Sequence, residues 1–212
     1  MPGTVHIVDD DASFRTAIER RLKLAGYAVA TYPSAQQLLD RLPDEREAGC
    51  ILLDVRIPDL SGPELQDRLT QLGSSLPIVF LSGYPDVPTT VKAIKAGAED
   101  FLTKPVSSDV LLRTVAKAMA QYEHAREQKR RIEGLRELLA TLTPRERQVF
   151  DRVVVGKINK QIGRELGATE RTIKAHRHRV MEKMKVQTLA ELVAIGERLG
   201  LLDGTGNGTA PG

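Results

Sequence analysis

The sequence predicts an α/β protein: a parallel sheet of five short strands with helices on both faces, followed by a second part that is all α. Three observations predict it. Five short β-type runs alternate with helical patterns over residues 1–120, the signature of strand–helix–strand units. The third run, Cys50-Ile51-Leu52-Leu53, is continuously apolar, as a strand buried on both faces must be. From Thr143 onward only helical signals occur.

The elements follow in order. Val5-His6-Ile7-Val8 reads as the first strand. Phe14, Ala17, Ile18, Leu22 and Leu24 then repeat at helical spacing, and Gly26 ends that helix. Residues 27–32 read as the second strand and 34–42 as the second helix. Pro77-Ile78-Val79-Phe80-Leu81 and Asp100-Phe101-Leu102 supply strands four and five, with helices at about 63–72, 87–96 and 107–120 filling the gaps. Residues 121–139 are charged helix formers and predict a helical linker extending the fifth helix. Its apolar positions, interrupted around 125–131, are too few for a coiled coil. The expected divisions are therefore a first domain over 1–120, a linker over 121–139, a helical domain over 140–203 and a Gly-rich disordered tail over 204–212.

Charge separates the two parts. Residues 1–120 hold 13 Lys/Arg against 16 Asp/Glu, a net of −3, whereas residues 140–202 hold 13 against 7, a net of +6. The basic second part is the candidate for nucleic acid. No apolar run is long enough to span a bilayer, and the first residues lack the basic and apolar regions of a secretory signal. Cys50 is the single cysteine, which excludes an intramolecular disulfide and suits a small core hydrophobe. These features predict a cytoplasmic protein with no membrane partner.

The polar residues fall where strands end. Strand one runs into Asp9-Asp10-Asp11, strand three into Asp54, strand four into Ser82-Gly83 and strand five into Lys104-Pro105. In a parallel sheet these C-terminal ends share one edge, where α/β folds place ligands. A strand order with one beside three would gather Asp9, Asp10 and Asp54. Three carboxylates together repel unless neutralised, and Mg²⁺, which prefers oxygen ligands and accepts phosphate oxygens, fits the set. One Asp could attack phosphorus to form an acyl phosphate, with Lys104 pairing with the phosphoryl oxygens and Ser82 donating a hydrogen bond to one.

Four segments carry a family resemblance: Ile7-Val8-Asp9-Asp10-Asp11, Leu53-Asp54-Val55-Arg56-Ile57-Pro58-Asp59-Leu60-Ser61-Gly62, Leu81-Ser82-Gly83 and Phe101-Leu102-Thr103-Lys104-Pro105. As a set they resemble the receiver domains of two-component systems, over about residues 4–120. The resemblance implies a flavodoxin-like (CheY-like) fold with strand order 2-1-3-4-5. It implies Asp54 as phosphoacceptor and Asp9, Asp10, Asp54 and the Arg56 backbone carbonyl as ligands of Mg²⁺. Lys104 corresponds to the phosphate-contacting lysine, Ser82 to the switch hydroxyl and Phe101 to the switch aromatic. Asp11 is expected outside the metal shell. Tyr84-Pro85 departs from the His-Gly often found there, and proline should stiffen that loop.

In the second part, Thr143 is the expected N-cap of a helix with Pro144 at its first position and Glu146 completing a capping box. A helix over 159–166, the turn Gly167-Ala168-Thr169 and a helix from Glu170 to about Lys185 form a helix-turn-helix pattern. Lys174 and His178 lie on a face opposite Ile173 and Val180 that could enter the major groove. Arg177, Arg179, Lys183 and Lys185 are better suited to phosphates, and His176 to packing. Leu142-Thr143-Pro144-Arg145-Glu146, Asn159-Lys160-Gln161-Ile162, Glu165-Leu166-Gly167 and Thr172-Ile173-Lys174-Ala175-His176-Arg177 resemble the LuxR-type domain of FixJ/NarL regulators, over about 140–200. The resemblance implies base contacts from Lys174, Ala175 and His178 and a dimerisation helix over 189–199, and Arg171 on the same basic helix is a further candidate DNA contact.

Together these readings predict a response regulator. A sensor histidine kinase would phosphorylate it, a homodimer would form, and promoter DNA and RNA polymerase would be its further partners. Two alternatives come from other classes. A phosphatase using Asp54 as nucleophile would want a second Asp two residues on, where this chain has Arg56. A ligand-sensing LuxR-type regulator would need an apolar pocket in the first domain, which the acidic strand ends do not make.

Overall fold

The computed structural model describes residues 3–43, 48–58, 60–84 and 86–202. The expectations for Pro85 and for the tail over 204–212 fall outside the described residues. The chain divides into two compact units, Met1–Arg126 and Glu127–Gly212. The first alternates β1 (Thr4–Val8), α1 (Ala12–Leu24), β2 (Ala28–Tyr32), α2 (Ala35–Leu39), β3 (Gly49–Asp54), α3 (Gly62–Gln71), β4 (Ile78–Ser82), α4 (Val87–Lys95) and β5 (Asp100–Thr103). Helix α5 (Ser108–Ala140) continues through the stretch expected to link the two parts. The second unit adds α6 (Pro144–Val154), α7 (Asn159–Leu166), α8 (Glu170–Lys183) and α9 (Leu189–Arg198).

The strands form one parallel sheet in the order β2-β1-β3-β4-β5. Register decides what the sheet edge carries. Val8 lies opposite Leu53, Asp54 opposite Leu81, and Ser82 opposite Thr103. Asp9 and Asp54 therefore share one row, with Ser82 one residue beyond it and Lys104 two, all at the same C-terminal edge of the sheet.

Strand alternation sends two sets of side chains to two cores. Val5, Ile7, Cys50, Leu52, Val79 and Leu81 pack under Ile18 and Leu22 of α1 and Leu111 and Val115 of α5. Val8, Ile51, Leu53 and Phe80 face Leu38 of α2, Leu65 and Leu69 of α3 and Ala93 of α4. Cys50 is fully buried, and burial pushes its thiol up to about 12, so it stays protonated and unreactive.

Capping sets the helix starts. The Asp11 carboxylate accepts the Ser13 and Phe14 N–H groups at the head of α1, which is why it takes no part in the acid cluster. Thr143 caps α6 with Pro144 at its start and Glu146 closing the capping box. Helix α2 is shorter than the expected 34–42: Ser34 is its N-cap and Asp40 its C-cap. Pro43 disfavours helical backbone at Leu42, and Leu42 is left exposed.

One buried polar pair gives this unit a pH dependence. His6 is buried, its Nδ1 lies 3.1 Å from the Tyr32 hydroxyl, and burial lowers its pKa to about 4. In the unfolded chain His6 titrates near 6.5. Between those values the unfolded state binds a proton that the folded state refuses, so stability rises with pH. Acidification from pH 6.5 to 4 is expected to destabilise the first unit by on the order of 2 kcal/mol. His6→Gln should flatten that slope in urea titrations, and a slope unchanged by the substitution would remove His6 as its origin.

Candidate functional site

The C-terminal sheet edge converges on one cluster. Asp9 is fully buried at the end of β1, Asp54 is buried at the end of β3, and Asp10 is exposed beside them. One carboxylate oxygen from each of the three lies within 4.8 Å of the others. Lys104, on the loop after β5, places its Nζ 2.5 Å from Asp9 Oδ2 and 2.7 Å from Asp54 Oδ2. Backbone groups hold the carboxylates as well: Asp9 Oδ1 accepts the Asp11 N–H at 2.9 Å, and Asp54 Oδ1 accepts the Arg56 N–H at 3.2 Å.

The electrostatics follow from burial. Loss of water raises the Asp9 pKa, against a hydrogen bond from Lys104 that works the other way. Burial alone would lower the Lys104 pKa, but hydrogen bonds to Asp54 and Asp9 outweigh it and raise it. One ammonium among three carboxylates leaves the cluster net acidic if all are ionised. Hard oxygen donors this close fit a small divalent cation. The chemistry open to them is metal-assisted phosphoryl capture on a carboxylate.

The expected switch residues flank this cluster. Ser82 is 2% exposed, and its Oγ accepts the Tyr84 N–H at 3.2 Å. Phe101 is half-buried, with its ring centroid 6.1 Å from that of Phe80. Arg56 stacks its guanidinium 5.4 Å from the centre of the exposed Tyr84 ring. Phe14, from the first turn of α1, faces Lys104, whose Nζ is 4.2 Å from the ring centroid. Sequence reasoning saw Phe14 only as one apolar position of a helix.

In the second unit α7 and α8 are joined by a tight turn in which Gly167 adopts φ 62°, a left-handed conformation suited to glycine. Thr169 caps α8. Ile162, Ile173, Val180 and Met184 are buried in the shared core with Val149, Phe150 and Val153 of α6. Lys174, Ala175, His178, Arg171, Arg179 and Lys185 are all placed on the outside of the unit, none of them in its core. His176 is half-buried, with its Nδ1 buried and lacking a hydrogen-bond partner.

Two basic residues depart from the expected phosphate-facing set. Lys183 donates to Glu146 Oε2 at 2.6 Å and to the Thr141 carbonyl at 3.1 Å. Its ammonium, with the Thr143 cap, holds the Glu146 carboxyl at about 2, well below the usual range. Lys183 therefore ties α8 to the head of α6. Arg177 Nη1 donates to Asn159 Oδ1 at 2.7 Å and links α8 to the first residue of α7. Neither pairing has a local sequence signal, because the partners lie 37 and 18 residues away. Helix α9, expected as the dimerisation helix, also packs part of its apolar side inside its own unit. Leu192 and Gly196 are buried within their own unit, and a Cβ at position 196 would meet Val154 at 2.9 Å. Leu189 remains exposed and Val193 half-exposed.

A receiver and a DNA-binding module are the classes that these two sites define. Residues 5–116 match the response regulator receiver domain family, and residues 140–195 match the bacterial regulatory proteins of the luxR family. The chain belongs to the response regulators that join a receiver to a LuxR-type DNA-binding domain. It is 40% identical over 197 residues to the response regulator protein TodT of Pseudomonas putida, covering 93% of this chain and 86% of TodT. It is 39% identical over 201 residues to the transcriptional regulatory protein FixJ of Bradyrhizobium diazoefficiens, covering 95% and 98%. The solved structure of the response regulator StyR superposes with a TM-score of 0.84 at 39% identity, covering 93% of this chain and 100% of StyR. A receiver and a LuxR-type domain in one chain imply a sensor kinase and DNA as partners. Among the described residues, no helix is long and apolar enough to cross a membrane.

Proposed function

We propose that, in the cytoplasm, Asp54 accepts a phosphoryl group from a sensor histidine kinase and that the phosphoryl group switches a homodimer onto promoter DNA. The observation that carries this reading is Lys104 Nζ seated between Asp9 and Asp54 at the sheet edge. Asp9, Asp10, Asp54 and the Arg56 carbonyl would hold Mg²⁺. When bound, that ion supplies charge neutralisation for the transferred phosphoryl group. Asp54 Oδ attacks phosphorus, the bond from phosphorus to the donor atom breaks, and the donor leaves with the electron pair. Lys104 pairs with the phosphoryl oxygens as they gain charge. Ser82 turns its hydroxyl toward one of them, releasing the Tyr84 N–H, and Phe101 moves into the space vacated. Turnover on external substrates is not part of this role, since Arg56 stands where a dehalogenase-type phosphatase carries its acid/base.

The test is chemical. Protein incubated with acetyl phosphate and Mg²⁺ should acquire one label that hydroxylamine releases and chelation prevents, and borohydride trapping should map it to Asp54. A stable label on serine or histidine would overturn the assignment.

On DNA, Lys174, Ala175 and His178 present to bases, and Arg171, Arg179 and Lys185 to phosphates. Arg177 and Lys183 belong to this set less than the sequence suggested, being already paired with Asn159 and Glu146. One α8 reads too few base pairs for a genomic address, so two copies on a pseudo-palindrome about one DNA turn apart are required. Leu189 and Val193 are the α9 residues left to join the copies, and RNA polymerase is the partner served by the bound dimer. Arg179→Ala is expected to weaken binding to every sequence and to reduce the salt slope by roughly 0.9. Lys174→Ala should instead lose discrimination at one base position, by about 1–3 kcal/mol. Salt titrations on specific and scrambled duplexes separate the two, and equal losses on both duplexes for Lys174→Ala would remove it from base readout.

A further inference from the structure

The Lys104 ammonium has three N–H donors, and three side chains among the described residues lie in direct contact with it. Two are carboxylates, Asp9 at 2.5 Å and Asp54 at 2.7 Å. The third is the face of Phe14, with Nζ 4.2 Å from the ring centroid. Phe14 is not free to move away. Its N–H donates to the Asp11 carboxylate at 3.1 Å in the first turn of α1, and its half-buried ring packs on the core beneath that helix. The Lys104 side chain is 17% exposed, so the contact is largely out of water, where a cation over an aromatic face is strongest.

We infer that Phe14 is a positioning residue for Lys104 in phosphoryl capture. It is a neutral seat that keeps the ammonium at the cluster when a divalent cation takes over the carboxylate oxygens. This role rests on the reading of Asp54 as phosphoacceptor. Lys104 and a divalent cation draw on the same carboxylates, because Asp9 and Asp54 are both paired with Lys104 and both within the group able to ligate metal. As the cation binds, Lys104 must loosen its grip on Asp9. A carboxylate at position 14 would hold the ammonium but would also compete for metal. An aliphatic side chain would offer it nothing, and an ammonium leaving its partners would then go to water. A ring face attracts the ammonium through its quadrupole and contributes no oxygen ligand. Lys104 thus stays within reach of the phosphoryl oxygens while Asp54 attacks phosphorus, the acetyl–phosphate bond breaks and acetate departs with the electron pair.

Two separate readouts then have fixed signs. Phe14→Leu keeps an apolar side chain and removes the ring face. Mg²⁺ affinity, measured by calorimetry without any phosphodonor, should fall, because Lys104 then clings to Asp9 and Asp54. The rate of labelling by acetyl phosphate at saturating Mg²⁺ should also fall, by roughly 3- to 30-fold, the span from an exposed to a desolvated cation–π contact. Phe14→Tyr, which keeps the ring, should restore both. In a Lys104→Met background Phe14→Leu should leave Mg²⁺ affinity unchanged, and this arm of the cycle guards against a packing effect if Phe14→Leu lowers the melting temperature. Wild-type values in Phe14→Leu, or a Phe14→Leu loss that persists in the Lys104→Met background, would overturn the inference. Failure of the underlying reading looks different: the wild-type label would then map to a residue other than Asp54.

Discussion

Phe150→Ala is expected to cost about 3–5 kcal/mol and to bring the helical unit to the edge of unfolding. Phe150 is 0% exposed and belongs to the core that α6 shares with α7, α8 and α9. Removing its ring leaves a cavity bounded by side chains that are themselves helix-bound and cannot close around it. A small domain has only about 5–15 kcal/mol in hand, so the variant sits near the edge of stability. The first unit has two cores of its own. The expected result is a protein that still takes up phosphate from acetyl phosphate but no longer binds DNA, with helical signal lost at lower temperature. Circular dichroism melts and labelling check it together. Equal loss of labelling and DNA binding would mean that the two units do not melt separately.

Asp54→Asn is expected to abolish the hydroxylamine-sensitive label and with it any gain in DNA affinity on treatment with acetyl phosphate. The substitution is close to isosteric. The amide oxygen of the new side chain can still accept the Arg56 N–H that Asp54 Oδ1 accepts at 3.2 Å, so the loop after β3 keeps its support. What is lost is the nucleophile and one of the two charges facing Lys104. An effector coupling of about 1–3 kcal/mol corresponds to a roughly five- to 150-fold change in affinity, and that whole factor should vanish. Gel shifts with and without acetyl phosphate read it directly. Persistent stoichiometric labelling of Asp54→Asn at another carboxylate would withdraw Asp54 from its role.

Much of this was legible in the sequence because it is local. An apolar run that ends in a polar residue declares both a strand and the edge on which its last residue sits, so the sequence alone groups Asp9, Asp54, Ser82 and Lys104. Thr143, Pro144 and Glu146 declare a helix start within four residues. What was not legible depends on partners distant in the chain. Nothing near Lys183 announces Glu146, so a lysine on a basic helix read as a phosphate contact. Gly196 lies in the helix that resemblance marks for dimerisation, yet the close approach of Val154, far away in sequence, requires its lack of a side chain. The strand order came from resemblance and not from pattern, because hydrophobic periodicity states which face is buried but not which neighbour buries it. Phe14 shows the same limit, since its spacing identifies a helix face while its role depends on a lysine 90 residues further on.

The most direct measurement of the central claim is the stoichiometry of protein on a native promoter fragment, with and without phosphate on Asp54. Sedimentation or native mass spectrometry can count the protomers. The expected result is two phosphorylated protomers per site, bound with higher affinity than the unphosphorylated protein and lost in Asp54→Asn. A single protomer bound tightly, with the same affinity whether or not Asp54 carries phosphate, would contradict it.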